Sequence, residues 1–451
     1  MERIGGEGIG MPTSIRRVVV ASFIGTTIEW YDFFIYGTAA ALVFPALFFP
    51  EFSPLAGTLA SFATFAVGFL ARPLGGVIFG HYGDKIGRKA MLITTLLIMG
   101  VATFLVGVLP TYETIGVLAP VLLVVLRLIQ GLGLGGEWGG AVLMAVEHSP
   151  ADKRGLNGSW PQMGVWPQMG VPAGLVLGTG VFAAVSTISG DAFATWGWRI
   201  PFLLSIFLIG VGLFIRLSIY ESPAFSRVRE SGSEARMPIV DVFRIYPKNV
   251  LLGVGSRIGI DVAFYILAVF SLSYLTTNLG VSRGVGLIAI SIAALIEVFT
   301  IPLFGSLSDR VGRKPLLIGG AALLAVWTFP FFYLLDTRSP FLIILATVVG
   351  LAIAHAAVYG TQASFYAELF GTRVRYSGAS LSYQMAGIFG GALAPIIATA
   401  LLAAGGTNLV GVYVAALCAL SVLCYFLAAE TFRTDIYEDQ PQERQLLAEQ
   451  G

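Results

Sequence analysis

Apolar residues along this chain come in long unbroken blocks rather than in a two-residue or 3.6-residue alternation. A helix needs about 20 such residues to cross the hydrocarbon core of a bilayer. Runs of that size fall at about 17–47, 55–80, 90–110, 116–146, 159–186 and 200–217 in the first half. In the second half they fall at about 249–276, 284–307, 315–335, 340–368, 377–402 and 409–429. The one long polar stretch, Ser218 to Lys248, separates the two sets. The pattern predicts an all-α membrane protein with twelve transmembrane helices in two six-helix bundles. Its divisions are a bundle over 1–217, a cytoplasmic linker over 218–248, a bundle over 249–429 and a tail over 430–451.

Charge supports that layout. Only 12% of the 451 residues are charged, against roughly 25% in a soluble domain. Too little polar surface is left to cover a globule in water, so soluble enzymes and nucleic-acid binders are excluded. Of the 27 lysines and arginines, 21 fall in segments that alternate to one side when the N-terminus is placed inside. Only Arg199, Arg283 and Arg338 fall in loops on the other side, and Arg72, Arg127 and Arg257 fall within spans. Positive charge collects on the cytoplasmic side, so both termini are expected in the cytoplasm. The two cysteines, Cys418 and Cys424, share one apolar span and suit neither a disulfide framework nor a metal site. No residue set has metal-ligand spacing, and no cofactor is expected.

The halves repeat one another. Gly80–Lys89 (GHYGDKIGRK) recurs as Gly305–Lys314 (GSLSDRVGRK), 225 residues later. Glu147 stands seven residues before Arg154, and Glu368 seven before Arg375, an offset of 221. Two markers at nearly one offset make a parallel duplication of six spans.

The repeated loop resembles the signature of the major facilitator superfamily, and Arg127-Leu-Ile-Gln130-Gly131 resembles that superfamily's second motif. Glu29–Phe33 (EWYDF), Ala71–Gly76 (ARPLGG), Gly135–Gly139 (GGEWG) and Trp196–Pro201 (WGWRIP) are similar to the metabolite:proton symporter family within it. That family includes permeases for shikimate, 2-oxoglutarate, citrate and proline or betaine. Leu74–Asp84 and the span containing Gly378 look most like the shikimate permeases. The resemblance implies alternating access by two rocking bundles around a midplane site.

A charge at the bilayer centre costs about 2.5–3.5 kcal/mol, so charged residues inside spans need partners or a wet cavity. Glu29 and Asp32 lie three apart on one face of span 1, with Thr26, Phe33 and Tyr36 along the same stripe. Each disfavours charge on the other, which suits one of them to bind and release a proton. A structural pair satisfied by a neighbouring arginine is the plainer reading. Span 4 carries Arg127, Gln130 and Glu137 on one face; Arg127 suits either a substrate carboxylate or a proton relay with Asp32 or Glu137. Arg72 is expected to be a structural partner for an acid of span 1 or span 4. The proton-coupling set is therefore Glu29, Asp32, Arg127 and Glu137. Arg257 and Asp261 on span 7 are four apart and form a self-satisfying pair, with Tyr265 on the same face. Glu297 in span 8 has no partner within its span. His355, Tyr359, Gln362 and Tyr366 make a stripe on span 10, and Tyr383 and Gln384 are cavity donors on span 11. The candidate substrate residues are Tyr36, Arg127, Gln130, Arg257, Asp261, Tyr265, Glu297, His355, Tyr359 and Gln384.

Two cytoplasmic loops form a candidate conformational latch: Gly80, Asp84, Arg88, Glu147 and Arg154 in one half, and Gly305, Asp309, Arg313, Glu368 and Arg375 in the other. Asp84 and Asp309 are placed to meet helix N-termini, and Arg88 and Arg313 to pair with Glu147 and Glu368. A basic turn that only sets topology explains Lys85 and Lys89 but not the two matching acids. One feature departs from the family pattern. Trp160–Val165 (WPQMGV) is repeated at once as Trp166–Val171. Six residues turn a helix by about 600° and advance it about 9 Å, so the extra copy is expected to loop out at the inner surface.

The sequence therefore reads as a proton-coupled symporter of the bacterial inner membrane, importing a small carboxylate such as shikimate or 2-oxoglutarate. Its partners are the small-molecule substrate, the proton and the lipid bilayer, with no nucleic acid, and it works as a monomer. Osmolyte symport, drug/proton efflux and a non-transporting scaffold are the rivals. The short acidic tail without heptads speaks against the osmosensing type. No Gly-x-Ser-x-Gly, His-Glu-x-x-His or nucleotide-binding lysine loop supports an enzyme.

Overall fold

The computed structural model describes residues 13–86, 88–135, 166–217, 242, 244, 246–370 and 375–432. Its main helices are α1 (Thr13–Leu42), α2 (Pro54–Ile86), α3 (Arg88–Val108), α4 (Leu118–Gly135), α5 (Trp166–Ser189) and α6 (Ser205–Leu217). They continue as α7 (Pro247–Asn278), α8 (Arg283–Val311), α9 (Arg313–Asp336), α10 (340–369), α11 (375–405) and α12 (406–427). Among the described residues nine helices are long and apolar enough to cross a membrane, with mean hydropathy between 1.6 and 2.5. The last of the nine joins two spans. Gly405 and Gly406 leave helical geometry, and the positive φ of Gly406, +77, which favours glycine, lets α11 turn into α12. With α1 and α3, this is the twelve-helix arrangement that the block pattern predicts.

Small residues decide how closely the helices approach. A Cβ at Gly131 of α4 would overlap the backbone carbonyl of Gly68 on α2. The two backbones therefore touch, as membrane helices do when glycine lines the contact. In the first half α1 packs on α5, and α4 packs on both α2 and α3; in the second, α7 packs on α11 and α12, and α8 on α10. The halves meet along two seams, α5 against α8 and α2 against α11. Thr179 and Ser291 share a hydrogen bond of 2.7 Å across the first seam. Phe69 of α2 fills the space beside Gly391 of α11 in the second. Phe34 of α1 meets Phe264 of α7 at 5.9 Å between ring centroids, and the Arg283 guanidinium lies 4.7 Å over Phe193.

Four stretches wind as π-helix: 266–270 and 274–278 in α7, 349–355 in α10 and 388–392 in α11. Such bulges re-aim side chains and gather at functional sites. The second hexapeptide copy opens α5, and Pro172 lies inside it. The first copy and the linker over 218–241 lie outside the described residues, as do Glu137, Glu147 and Arg154. Of Gly80, Asp84, Arg88 and Arg375 only the helical backbone is described.

Candidate functional site: two cavities beside Phe33

The polar residues buried in the spans divide into two groups. The first belongs to the N-terminal half. Asp32 Oδ1 accepts a hydrogen bond of 2.6 Å from Ser205 Oγ at the start of α6. Its Oδ2 finds no hydrogen-bond partner among the described residues. Arg127 Nη1 donates to Gln130 Oε1 at 3.1 Å, and Gln130 Nε2 to Thr103 Oγ1 at 2.7 Å. Asp32, Arg127, Gln130, Phe33, Met99, Gly131 and Leu134 enclose one small cavity. Glu29 is buried on the same helix, 5% exposed. Tyr36 stands behind Arg127, its ring 4.2 Å from the guanidinium and its hydroxyl donating to Thr64 Oγ1 at 2.9 Å.

The second group surrounds a central cavity between the halves. It is lined by Trp30, Phe69 and Arg72 from the first half and by Arg257, Asp261, Phe264, Tyr265, His355, Tyr359 and Tyr383 from the second. It is narrow, with room for about one water. The Arg257 side chain grips Asp261 through both carboxylate oxygens, Nε to Oδ2 at 3.1 Å and Nη2 to Oδ1 at 3.0 Å. Nη1 donates to Gln362 Oε1 at 2.7 Å, and Gln362 Nε2 donates to Tyr425 at 2.7 Å. Tyr383 lies 3.6 Å from the same guanidinium. Glu297 finds its partner on another helix: His355 Nδ1 lies 2.6 Å from its Oε1. The His355 ring stacks on Tyr359 at 5.1 Å and leans on Phe264 at 4.8 Å.

The structure thus separates residues that the sequence grouped as one substrate set. Arg257, Asp261, Tyr265, His355 and Tyr359 line the central cavity, with Glu297 behind His355. Tyr36, Arg127 and Gln130 stand with Asp32 in the other cavity, and the half-buried Gln384 does not line the centre. Arg72, expected to partner an acid of span 1 or span 4, has Glu137 outside the described residues; within them its guanidinium rests on Phe69, Phe33 and Trp30, at 4.2, 4.5 and 5.7 Å from their centroids. Spacing along a chain cannot distinguish a carboxylate neighbour from an aromatic one when that neighbour comes from another helix. Ser205, 173 positions from Asp32, carried no local signal. Trp30, Phe69 and Phe264 are indistinguishable in sequence from packing residues.

At the end carrying the second repeated loop, Arg313 is fully buried and meets three partners. These are Asp309 Oδ1 at 2.6 Å, Ser308 Oγ at 2.7 Å and both oxygens of Glu368, at 3.1 and 3.3 Å. Gly305 lies buried in the same last turns of α8. Asp309 lies in the last turn of α8, which runs on to Val311, and the start of α9 is met by another acid, Glu430. Its carboxylate accepts from the Arg313 and Lys314 backbone N–H groups at 3.2 and 3.1 Å, where α9 begins. Thr431 Oγ1 then donates to Glu368 at 2.7 Å.

Comparisons with known proteins bear on this architecture. A family model described as Sugar (and other) transporter matches residues 17–242, and one described as Major Facilitator Superfamily matches 258–449. The shikimate transporter of Escherichia coli (strain K12) is 42% identical over 95% of this chain and 97% of its own length. The chain belongs to the major facilitator superfamily. The proline/betaine transporter of the same strain is 36% identical, over 85% of this chain and 77% of that one. A solved proton:xylose symporter superposes with a TM-score of 0.70 at 17% identity, over 96% of this chain and 99% of that chain. That likeness extends to the superfamily fold.

Proposed function

We propose that this superfamily member carries a small organic carboxylate into the cell together with a proton. The observation that carries the reading is the pair of cavities beside one helix of the first half. The central one offers cations, a histidine and aromatic walls between the halves, where a site must lie to be exposed to each side in turn. The smaller one holds Asp32, a buried carboxyl that accepts from Ser205, next to Arg127. A carboxyl buried in a span and facing a cavity is a place where a proton can be held between the two sides. Similarity to a shikimate transporter supports a hydroxylated carboxylate as the substrate. The termini face the cytoplasm on the count of basic residues.

One proton moving with a monoanion is electroneutral, so a pH gradient drives it at about 1.4 kcal/mol per unit. Proteoliposomes with labelled shikimate test the reading. Uptake is expected to rise on an inward proton gradient and to ignore an imposed potential. Asp32→Asn is expected to keep counterflow exchange while losing gradient-driven accumulation. Accumulation by Asp32→Asn equal to the parent's would remove Asp32 from the coupling.

A second reading has its own support in the aromatic lining. Trp30, Phe264, Tyr265, Tyr359 and Tyr383 around one cavity also suit a quaternary ammonium, and the similarity to a proline/betaine transporter points the same way. Competition of shikimate uptake by betaine separates the two.

A further inference from the structure

The central cavity holds two guanidinium groups, and their hydrogen-bonding edges are in opposite states. In Arg257 the side-on edge, formed by Nε and Nη2, is filled by the two oxygens of Asp261. In Arg72 the same two nitrogens make no hydrogen bond among the described residues, and the acid that acts on it through space, Asp261, has both its oxygens on Arg257. Arg72 is 4% exposed and lines the cavity. Three aromatic rings lie against it at 4.2 to 5.7 Å. Rings offset part of the charge but accept no strong hydrogen bond. A buried cation whose hydrogen-bonding edge is unfilled is costly in a protein and costlier in a membrane. Arg127 also has a bare edge, but it lines the cavity that holds Asp32 and not the one between the halves.

We propose that Arg72 is the anion seat of the transport site, its Nε–Nη2 edge taking the substrate carboxylate as Asp261 takes that edge of Arg257. The geometry is the planar two-point match that guanidinium makes with carboxylate. Arg257, already neutralised, is left to orient the remainder of the substrate. This rests on the carboxylate reading and adds the residue that selects for it.

The test uses the full-length protein in detergent, followed by thermal unfolding and equilibrium binding. The probes are shikimate, shikimate methyl ester, 2-oxoglutarate, citrate and betaine. The wild type is expected to be stabilised by shikimate and not by its ester. Arg72→Gln is expected to bind shikimate at least about tenfold more weakly, as loss of a charged hydrogen-bonded pair implies. Arg72→Lys is expected to fall between. Without ligand, Arg72→Gln is expected to melt no lower than the wild type, because it removes a buried charge whose Nε and Nη2 have no hydrogen-bond partner among the described residues. A merely structural arginine gives the opposite sign, and a lower melting point in both variants would overturn the seat. So would shikimate affinity unchanged in Arg72→Gln, which leaves the carboxylate reading intact. A wild type that answers betaine alone, with Arg72→Gln losing that answer, keeps the seat and removes the organic-acid reading. No response to any of these carboxylates removes both.

Discussion

Phe33 touches an arginine from each of the two cavities. Its ring has the Arg72 guanidinium 4.5 Å from its centroid and the Arg127 guanidinium at 4.6 Å. It also touches Phe65, Phe69 and Tyr265, at 5.0, 5.1 and 6.4 Å. The ring lines the cavity with Asp32 and lies against Arg72, which lines the cavity between the halves, so it is placed where a partition between them is needed. Phe33→Ala would remove the partition and let water join two sites that a coupled carrier must keep apart. Its expected result is a proton leak without substrate in pH-jump assays of proteoliposomes, with shikimate binding weakened only a few-fold. Tight vesicles carrying this variant would argue against the partition. The sequence placed Phe33 on the stripe with Glu29, Asp32 and Tyr36 but gave no reason to choose it. Charged residues inside apolar runs announce themselves by their cost, which is why Asp32, Arg127, Arg257 and Asp261 were legible. An aromatic residue in a membrane span has no such cost, and only its neighbours from other helices give it a role.

Among the helices, the junction of α8, α9 and α12 shows what a repeat motif can and cannot reveal. The acid seven positions before an arginine marked Glu368, and the loop motif marked Asp309 and Arg313. Their convergence on one buried guanidinium follows from the helix ends that carry them. Glu430 was hidden because it belongs to no motif. It lies 117 positions from Arg313 and acts on backbone N–H groups that any sequence would supply. The two acids do different work, and their replacement should differ in size. Glu368→Gln leaves the buried Arg313 short of a counter-charge, a change in the class that costs about 3–5 kcal/mol when a buried pair is broken. The remaining pair with Asp309 places the expected loss at the lower end. Glu430→Gln weakens a partly exposed cap, worth roughly 1 kcal/mol. Amide hydrogen exchange at the start of α9 is the measurement. Exchange should quicken by about fivefold in Glu430→Gln and by much more in Glu368→Gln. Equal effects of the two would show that the cap and the ion pair are one cooperative unit.

At the scale of the whole molecule, the block pattern, the 21-to-3 split of basic residues and the duplication made two six-helix halves legible before any coordinates. The way the halves meet was not legible, because contacts across a seam leave no periodicity in either strand of sequence that makes them. The α2–α11 seam is the sharpest case. A Cβ at Gly391 would already overlap the tip of the Phe69 ring. That ring cannot swing away freely, since it lies against Phe65, Tyr265 and the Arg72 guanidinium at 5.4, 5.3 and 4.2 Å. A larger residue at 391 therefore has to part the halves rather than repack one of them. Gly391→Leu should depopulate the closed centre and leave the central cavity open to water. A cysteine put at Tyr383 reports this, after the buried free thiols of Cys418 and Cys424 are replaced. Its labelling by a hydrophilic maleimide should be slow in the parent and at least about tenfold faster with Gly391→Leu, the response to a shift of 1.4 kcal/mol or more. Shikimate counterflow should fall in parallel, because a carrier that cannot close over its substrate cannot pass it on. Slow labelling with normal counterflow in Gly391→Leu would mean that the α2–α11 contact does not hold the centre closed, and the α5–α8 seam with its Thr179–Ser291 bond would have to do so.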